Sequence, residues 1–383
     1  MINAIISARS IITSEILHNC HIFAVCRQFG HGIYALVGTV DPESLEILHS
    51  FANAYEMPLV TPFIPESIYH SKDLANQQYT IEIRPDYHDA LTDLITYYGW
   101  KRIIYIYSDF DGLLRLQRIF RNIPRTPTGE PRFEISFVKR ISSVSEAMDF
   151  LHDLEKQNRD SIKHVLLDCS ASLAKDIIVQ HVRSVHLGRR NYHYLMSGLV
   201  LDDYWDSNIV EYGAINITGL RLVQTDTLYA QDFIQHWHQL DRSAYGSIGN
   251  QGITATAALA YDAITVLETG FRNLIQQAPN LFKKKRDRHG ASCVLSGDES
   301  KGAWELGKEI SNALKAVKIE GLTGTLRFNE MGKRVNYSFD VLEMTPDSKI
   351  VKVGTWGDRQ RLQLSNMAKD PTIQTFNPPR TNQ

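Results

Sequence analysis

The chain has 383 residues, enough for two domains or one large two-lobed unit with an ample core. Hydrophobic residues make up 43% and charged residues 22%, an ordinary globular balance, and a net charge of -2 gives no general attraction to nucleic acid or to an anionic membrane. No apolar run approaches the ~20 residues that span a bilayer, and the opening stretch MINAIISARSIITSEILHNC lacks the basic start and unbroken apolar core of a signal peptide.

From there the chain alternates strand and helix. GIYALVGTV reads as a strand, and PESLEILHSFANAY as a helix with Leu45, Leu48, Phe51 and Ala52 on an apolar stripe. PLVTPF is the next strand. PDYHDALTDLITYYGW follows as a helix that Asp86 would cap and Gly99 would stop, with Leu91, Leu94, Ile95 and Tyr98 on one face. RIIYIYS is a continuous apolar strand of the kind a parallel sheet buries on both faces. Helix GLLRLQRIFRNI, strand FEISFVK, helix SEAMDFLHDLEKQ, strand HVLLDCS, helix SLAKDIIVQHVRSVHLG and strand YHYLMSG come next. INITGLRLVQ is followed by helices near 229–240, 254–275 and 304–317, then by EGLTGTLRFNEMGKRVNYSFDVLEM and KIVKVGTW. This order predicts an α/β protein with two open, mostly parallel sheets. The segment 276–302 reads as an exposed loop whose basic run, Lys283 to Arg288, is a solvated patch.

The chemistry-bearing motifs of enzymes do not assemble. Gly30-His31-Gly32-Ile33-Tyr34-Ala35 matches G-x-G-x-x-A in letters, but it precedes a strand instead of following one and opening a helix. No phosphate-binding, zinc-protease or nucleophile-elbow motif is present. His181 and His186 are off the spacing that aligns two metal ligands on a helix, and His236 and His238 point apart. Asp109 and Asp111 follow a strand where α/β enzymes place acids, yet they suit capping of the next helix better. The reading is no enzyme, no catalytic residue, no metal and no cofactor. Cys20, Cys26, Cys169 and Cys293 are too few and too scattered for a disulfide scaffold, and composition reads them as buried thiols. Two N-glycan acceptor triplets stand out, at Asn216 and Asn336. Strand alternation would put Asn336, Ser338 and Asp340 on the solvated face of an edge or one-sided strand, opposite Val335, Tyr337, Phe339 and Val341.

In order and in motif the chain resembles the amino-terminal domain of ionotropic glutamate receptors, AMPA-type most closely and kainate-type next. The matching stretches are CRQFGHGIYALVG, FANAYEMPLVTPFIPE, IEIRPDYHDALTDLITYYGWKRIIYIYSDFDGLLRLQ, VLLDCS, YHYLMSG, GAINITGLRLV, ATAALAYDAITVL, EGLTGTLRFNEMGKRVNYSFDVLEM and KVGTW. The resemblance implies a bilobed type I periplasmic-binding-protein-like clamshell with three crossovers, near Lys101, Leu228 and Lys333. Lobe 1 would take 1–101 and 229–332, lobe 2 would take 102–228 and 333–357, and 358–383 would be a tail. It further implies a disulfide between Cys26 and Cys293, a buried thiol at Cys169, and a dimer surface on lobe 1 helices with Leu45, Leu48, Phe51 and Leu94 as anchor candidates. The implied role is subunit assembly and protein recognition outside the postsynaptic membrane, with other receptor subunits and synaptic proteins as partners. The alternative is an amino-acid-binding clamshell of the periplasmic type. The family's first strand and helix find no match ahead of Cys20, and no pore helices or glutamate-binding domain follow, so this chain by itself is not expected to gate ions.

Overall fold

The computed structural model describes residues 33–38, 42–62, 79–159, 161–189, 191–202, 204–239, 253–282 and 306–364. In chain order they form β1 (Leu36–Val37), α1 (Pro42–Ala54), β2 (Leu59–Thr61), β3 (Thr80–Glu82), α2 (His88–Tyr97), β4 (Arg102–Tyr107) and α3 (Phe110–Arg121). Next come β5 (Glu134–Arg140), α4 (Val144–Gln157), β6 (Lys163–Asp168), α5 (Ala171–Arg183), β7 (Tyr192–Met196), β8 (Asn216–Arg221) and α6 (Leu228–Gln239). The last elements are α7 (Ala255–Gln277), α8 (Gly307–Lys315), β9 (Lys318–Gly321), β10 (Gly324–Arg327), β11 (Ser338–Met344), β12 (Ile350–Gly357) and β13 (Arg361–Leu364).

Two compact units result, one of Met1–Pro85 with Thr256–Tyr337, the other of Asp86–Ala255 with Ser338–Gln383. The breaks differ from those the resemblance implied. Helices α2 and α6 both fall in the second unit, and the stretch expected as a tail supplies β13, which pairs antiparallel with β12.

In the first unit β1, β2 and β3 form a parallel sheet in that order. Leu45, Leu48 and Ala52 recur along one face of α1 and pack with Tyr55, Met57 and Leu59, so the apolar stripe seen in the sequence holds the helix to its own core. The hairpin β9–β10 turns through Leu322 and Thr323, with Gly321 opposite Gly324, and Gly324 has φ +84. The buried carboxylate of Asp262, on α7, accepts the Leu322 N–H at 2.9 Å, the Thr323 N–H at 3.0 Å and the Thr323 hydroxyl at 2.5 Å. Arg334 then closes the turn from the far side. Its guanidinium donates to the Thr323 hydroxyl at 2.7 Å, the Thr323 carbonyl at 2.6 Å and the Ile83 carbonyl at 3.0 Å. Burial pulls the Arg334 pKa down to about 10 and raises that of Asp262, as expected when charged groups leave water. Gly332, at φ +75, has the Thr80 carbonyl 2.1 Å from where a Cβ would stand, so a side chain there would push β3 away.

The second unit is built on an eight-stranded sheet ordered β13-β12-β11-β8-β7-β6-β4-β5. From β5 to β8 the neighbours run parallel, and β11, β12 and β13 are added antiparallel. Ile104, Ile106, Val165, Leu167, Tyr194, Met196 and Ile217 line one face and meet Ala147 and Leu151 of α4 and Ile177 and Ile178 of α5. The opposite face, which carries Tyr105, takes α2 and α3; the Tyr105 hydroxyl lies 2.8 Å from the Gly112 carbonyl of α3, and Trp356 donates to Asp93 of α2 at 2.8 Å. Helix α5 stops at Arg183, where Ser184 turns extended, short of the Gly188 end that the sequence suggested.

The reading of the Asn336 strand needs correction. Asn336 is not in a strand at all, for β11 begins at Ser338 and Asn336 occupies a bend with φ +59, a conformation asparagine tolerates. Nor is β11 at an edge or wet on one side. It lies between β8 and β12, Phe339 and Val341 are buried, and Asp340 on the other face is buried against Arg221 and Lys352, each at 2.8 Å. Alternation came from buried ion pairs, not from solvent.

The polar clasp on the β9–β10 hairpin gives a direct test. Arg334→Met leaves the Thr323 and Ile83 carbonyls and the Asp262 charge without their cation, and is expected to lower the stability of the first unit by about 3 kcal/mol, read from its urea unfolding curve.

Candidate interaction surface

The C-terminal ends of β4 and β6 carry a polar cluster that seats α3. Asp109 is the N-cap of α3, accepting the Gly112 N–H at 2.7 Å, which assigns it the capping role that its position suggested. Arg115 donates from Nη2 to Asp109 at 2.7 Å and from Nε to the buried Asp168 at 2.7 Å. Tyr105 donates to the same Asp168 at 2.5 Å. Burial opposes the Arg115 charge, but the oxygens of Tyr87, Asp168 and Asp109 outweigh it and hold its pKa above the ordinary value. Burial, followed by the Asp168 charge, raises the pKa of Tyr105. Every group in this cluster is engaged within the fold. It fastens a helix; of its two carboxylates Asp168 is buried, and Asp109, open to solvent, is held by Arg115 and the Gly112 N–H.

Fastened this way, α3 buries Leu116 and Ile119 and turns Leu113 (38% exposed), Gln117 and Phe120 (49%) outward. Strand β5 lies beside it at the end of the sheet, with one edge unpaired among the described residues. Phe137 and Val138 of β5 are 40% and 45% exposed. Val138 pairs with Tyr105 and so shares the side of the sheet that carries α3, whereas Phe137 pairs with Ile104 on the other side. Leu113 and Phe120 of α3 and Val138 of β5 thus stand exposed on one side of the sheet, and Phe137 stands exposed on the other. Lys139 and Arg140, also exposed, end the strand with charge and discourage indiscriminate pairing. Other exposed apolar residues include Val185 and Val210, which stand singly, and two pairs, Leu228 with Tyr229 on α6 and Tyr261 with Ile264 one turn apart on α7. The signal was present in the sequence: GLLRLQRIF carries apolar residues on more than one helical stripe, more than a single buried face uses.

The residues singled out for the dimer surface behave differently. Leu45, Leu48 and Leu94 are 1%, 8% and 0% exposed, so they face their own cores and offer nothing to a partner. Leu94 moreover sits on α2, in the second unit. Phe51 is half-buried and its ring stacks on Tyr55 at 5.9 Å. Asn216 opens β8, half-buried, while the threonine of its triplet, Thr218, is fully buried. His181 is buried and bonded to the Tyr194 hydroxyl at 2.8 Å. Cys169, one residue beyond β6, is a buried free thiol, and burial with the nearby Asp168 and Asp109 charges pushes its pKa up to about 12. Cys20, Cys26, Cys293, Gly30 to Gly32 and the basic run Lys283 to Arg288 lie outside the described residues. Among the described residues no three His, Cys, Asp or Glu are grouped to hold a metal, and no helix is long and apolar enough to cross a membrane.

Comparison with known proteins supplies the family. Residues 22–347 match the model of the receptor family ligand binding region. The chain is 30% identical over 351 residues to glutamate receptor 3 of rat, and equally to that of human, covering 90% of this chain and 37% of the receptor. A glutamate receptor of Lymnaea stagnalis is 28% identical over 338 residues, 88% of this chain and 36% of the receptor. The chain therefore spans a little over a third of the length of these relatives. The thiol of Cys169 is expected to resist iodoacetamide at pH 8 in the native protein and to react at least ~100-fold faster in urea, read by peptide mass mapping.

Proposed function

This chain belongs to the receptor family ligand binding region, in a form akin to the amino-terminal domain of ionotropic glutamate receptors, and from that membership we propose that it serves as the extracellular assembly domain of a receptor subunit, not as an enzyme. The observation that carries the reading is the outer stripe of α3, Leu113 and Phe120, beside the exposed edge of β5. Apolar side chains from a fixed helix and strand, ringed by Gln117, Arg121, Lys139 and Arg140, have the make-up of a subunit contact with an apolar centre and a polar rim. A second subunit of the same kind fits it, because an isologous contact sets the stripe against its own copy. Another receptor subunit or a synaptic protein is the heterotypic form of the same contact.

In the whole receptor the domain lies outside the postsynaptic membrane, and gating by glutamate belongs to parts of the receptor beyond the matched region. A Cys26–Cys293 bridge and glycans at Asn216 and Asn336 complete the reading, since both modifications are those of a secreted domain.

The test is sedimentation equilibrium on the full chain, secreted behind a heterologous leader, together with its Phe120→Glu and Leu113→Glu variants. Both residues are exposed, so folding is expected to persist while the dissociation constant rises at least ~10-fold. An Ile264→Glu control on α7 is expected to leave association unchanged. Equal association in all four proteins would remove α3 from the interface, and a parent that stays monomeric would remove self-assembly. Saturable heat on titration with glutamate or glycine would instead favour the amino-acid-binding alternative. Non-reducing peptide maps are expected to join Cys26 to Cys293, and endoglycosidase treatment to lower the mass.

A further inference from the structure

Strands β7, β6, β4 and β5 are neighbours in that order, run parallel and begin level: Tyr192 pairs with Lys163, Val165 with Ile104, and Arg102 with Glu134. The loops that lead into them therefore emerge along one end of the sheet. Each loop carries an exposed base. Arg189 precedes β7, Arg159 precedes β6, Lys101 precedes β4, and Arg125 and Arg132 precede β5. Neighbouring strands are about 4.8 Å apart, so these bases are set out along a row of about 15 Å.

The backbone beneath the row is tied down. The Arg159 carbonyl accepts from Lys163 Nζ at 3.4 Å and from Asn191 Nδ2 at 3.0 Å, which joins the loops ahead of β6 and β7. The Arg132 N–H donates to the Pro124 carbonyl at 2.8 Å, Arg125 pairs with Pro131, and the Arg125 guanidinium donates to the Gly129 carbonyl at 2.8 Å. The Lys101 carbonyl accepts the Glu134 N–H at 2.9 Å. Charge along the row is not balanced. Glu134, Asp153 and Glu211 are taken by Arg102, Lys156 and Arg183, and Asp206 accepts from Asn208. Glu130 is the acid of the Arg125–Arg132 loop. None of the bases of the row has a carboxylate partner among the described residues. Helix dipoles do not account for them, because α3, α4 and α5 end with bases of their own, Arg118 and Arg121, Lys156, and Arg183, and the row lies beyond those turns. On a chain of net charge -2 it is a local excess whose like charges repel until an anion joins them.

We propose that this end of the sheet binds a linear sulfated polysaccharide, laid across the strand ends with its sulfates on the row. Bases set at intervals suit a polymer with repeated charges better than a single anion. All but Lys101 are arginines, whose planar fork takes two oxygens of one sulfate. The loops present no run of exposed aromatic rings on which the bases of a nucleic acid stack. Ile162 and Val185 are exposed at the same end, but as single side chains and not as the apolar helix face that seats a protein on a membrane. The surface takes nothing from the outer stripe of α3, so its loss leaves the assembly reading intact.

The probe is an end-labelled heparin octasaccharide, titrated by fluorescence into the full chain secreted behind a heterologous leader. Binding is expected at about 50 mM salt and is expected to weaken at least ~10-fold by about 200 mM, as counterions compete. Combining Arg132→Ser, Arg159→Ser and Arg189→Ser is expected to raise the dissociation constant at least ~10-fold. Lys308→Ser with Lys318→Ser, exposed bases of the first unit, is expected to leave it unchanged. No binding at the lower salt overturns the proposal, and so does equal binding by the triple variant. Loss of all binding in Lys284→Ser with Lys285→Ser overturns it too, as does capture by phosphatidylserine vesicles without binding of the octasaccharide. Should the triple variant not fold, arginine labelling of the parent decides. The octasaccharide is expected to shield Arg125, Arg132, Arg159 and Arg189 from phenylglyoxal, read by peptide mass mapping, and unchanged labelling overturns the proposal.

Discussion

Helix α3 takes its place on the sheet from the guanidinium of Arg115, which holds Asp168 at the end of β6 through Nε and Asp109, the helix's own N-cap, through Nη2. Two carboxylates held by one guanidinium leave the helix little freedom to roll, and a planar donor fork demands its partners in fixed directions. Because Tyr105 also reaches both Asp168 and the Gly112 carbonyl, the strand beneath the helix is drawn into the same constraint. Which residues of α3 face water is settled there. Leu116 and Ile119 are turned down, and Leu113 and Phe120 are left outside.

Both units fasten their joints with buried polar groups set among apolar cores. Asp262 holds the β9–β10 turn, and Asp202 does the same for the chain leaving β8, accepting the N–H groups of Leu222 and Val223 at 2.8 and 3.2 Å. The two carboxylates accept from backbone, where a side chain of the right reach satisfies groups that no strand pairs. Such joints stabilise modestly when complete and cost heavily when broken, so they specify geometry more than they add stability. In the second unit the apolar share comes from Ile, Val and Leu of the parallel strands against α4 and α5.

The parallel core was the most readable part of the sequence. RIIYIYS and HVLLDCS are apolar without interruption because a central parallel strand is covered on both faces, and β4 and β6 lie in those places. The C-terminal strands were harder. β11 alternates in its letters like a half-wet strand, yet Asp340 is buried because Arg221 and Lys352 neutralise it, and no local pattern announces partners so far away in the chain. The inward direction of Leu45, Leu48 and Leu94 followed from their periodicity, and a helix that spends its apolar stripe on its own sheet has none left for a neighbour. For α3 the excess of apolar residues over one stripe was visible in the sequence, but which of them were surplus depended on Arg115. The seating of His193 was hidden too, since Thr218 of β8 and the rings of Tyr98 and Trp100 at the end of α2 reach it only through the fold.

The triplet at Asn216 carries a consequence for the order of events in the cell. Ile217 and Thr218 are closed into the sheet, and Thr218 is held by His193, so the finished protein hides the residue that a glycosyltransferase must grip along with the asparagine. An oligosaccharide can be attached there only while the nascent chain is still open, before β8 settles between β7 and β11. On the proposed secretory route, occupancy at Asn216 would record a race between an enzyme and a strand: a chain that folds promptly would leave it bare, and a chain that lingers would be marked.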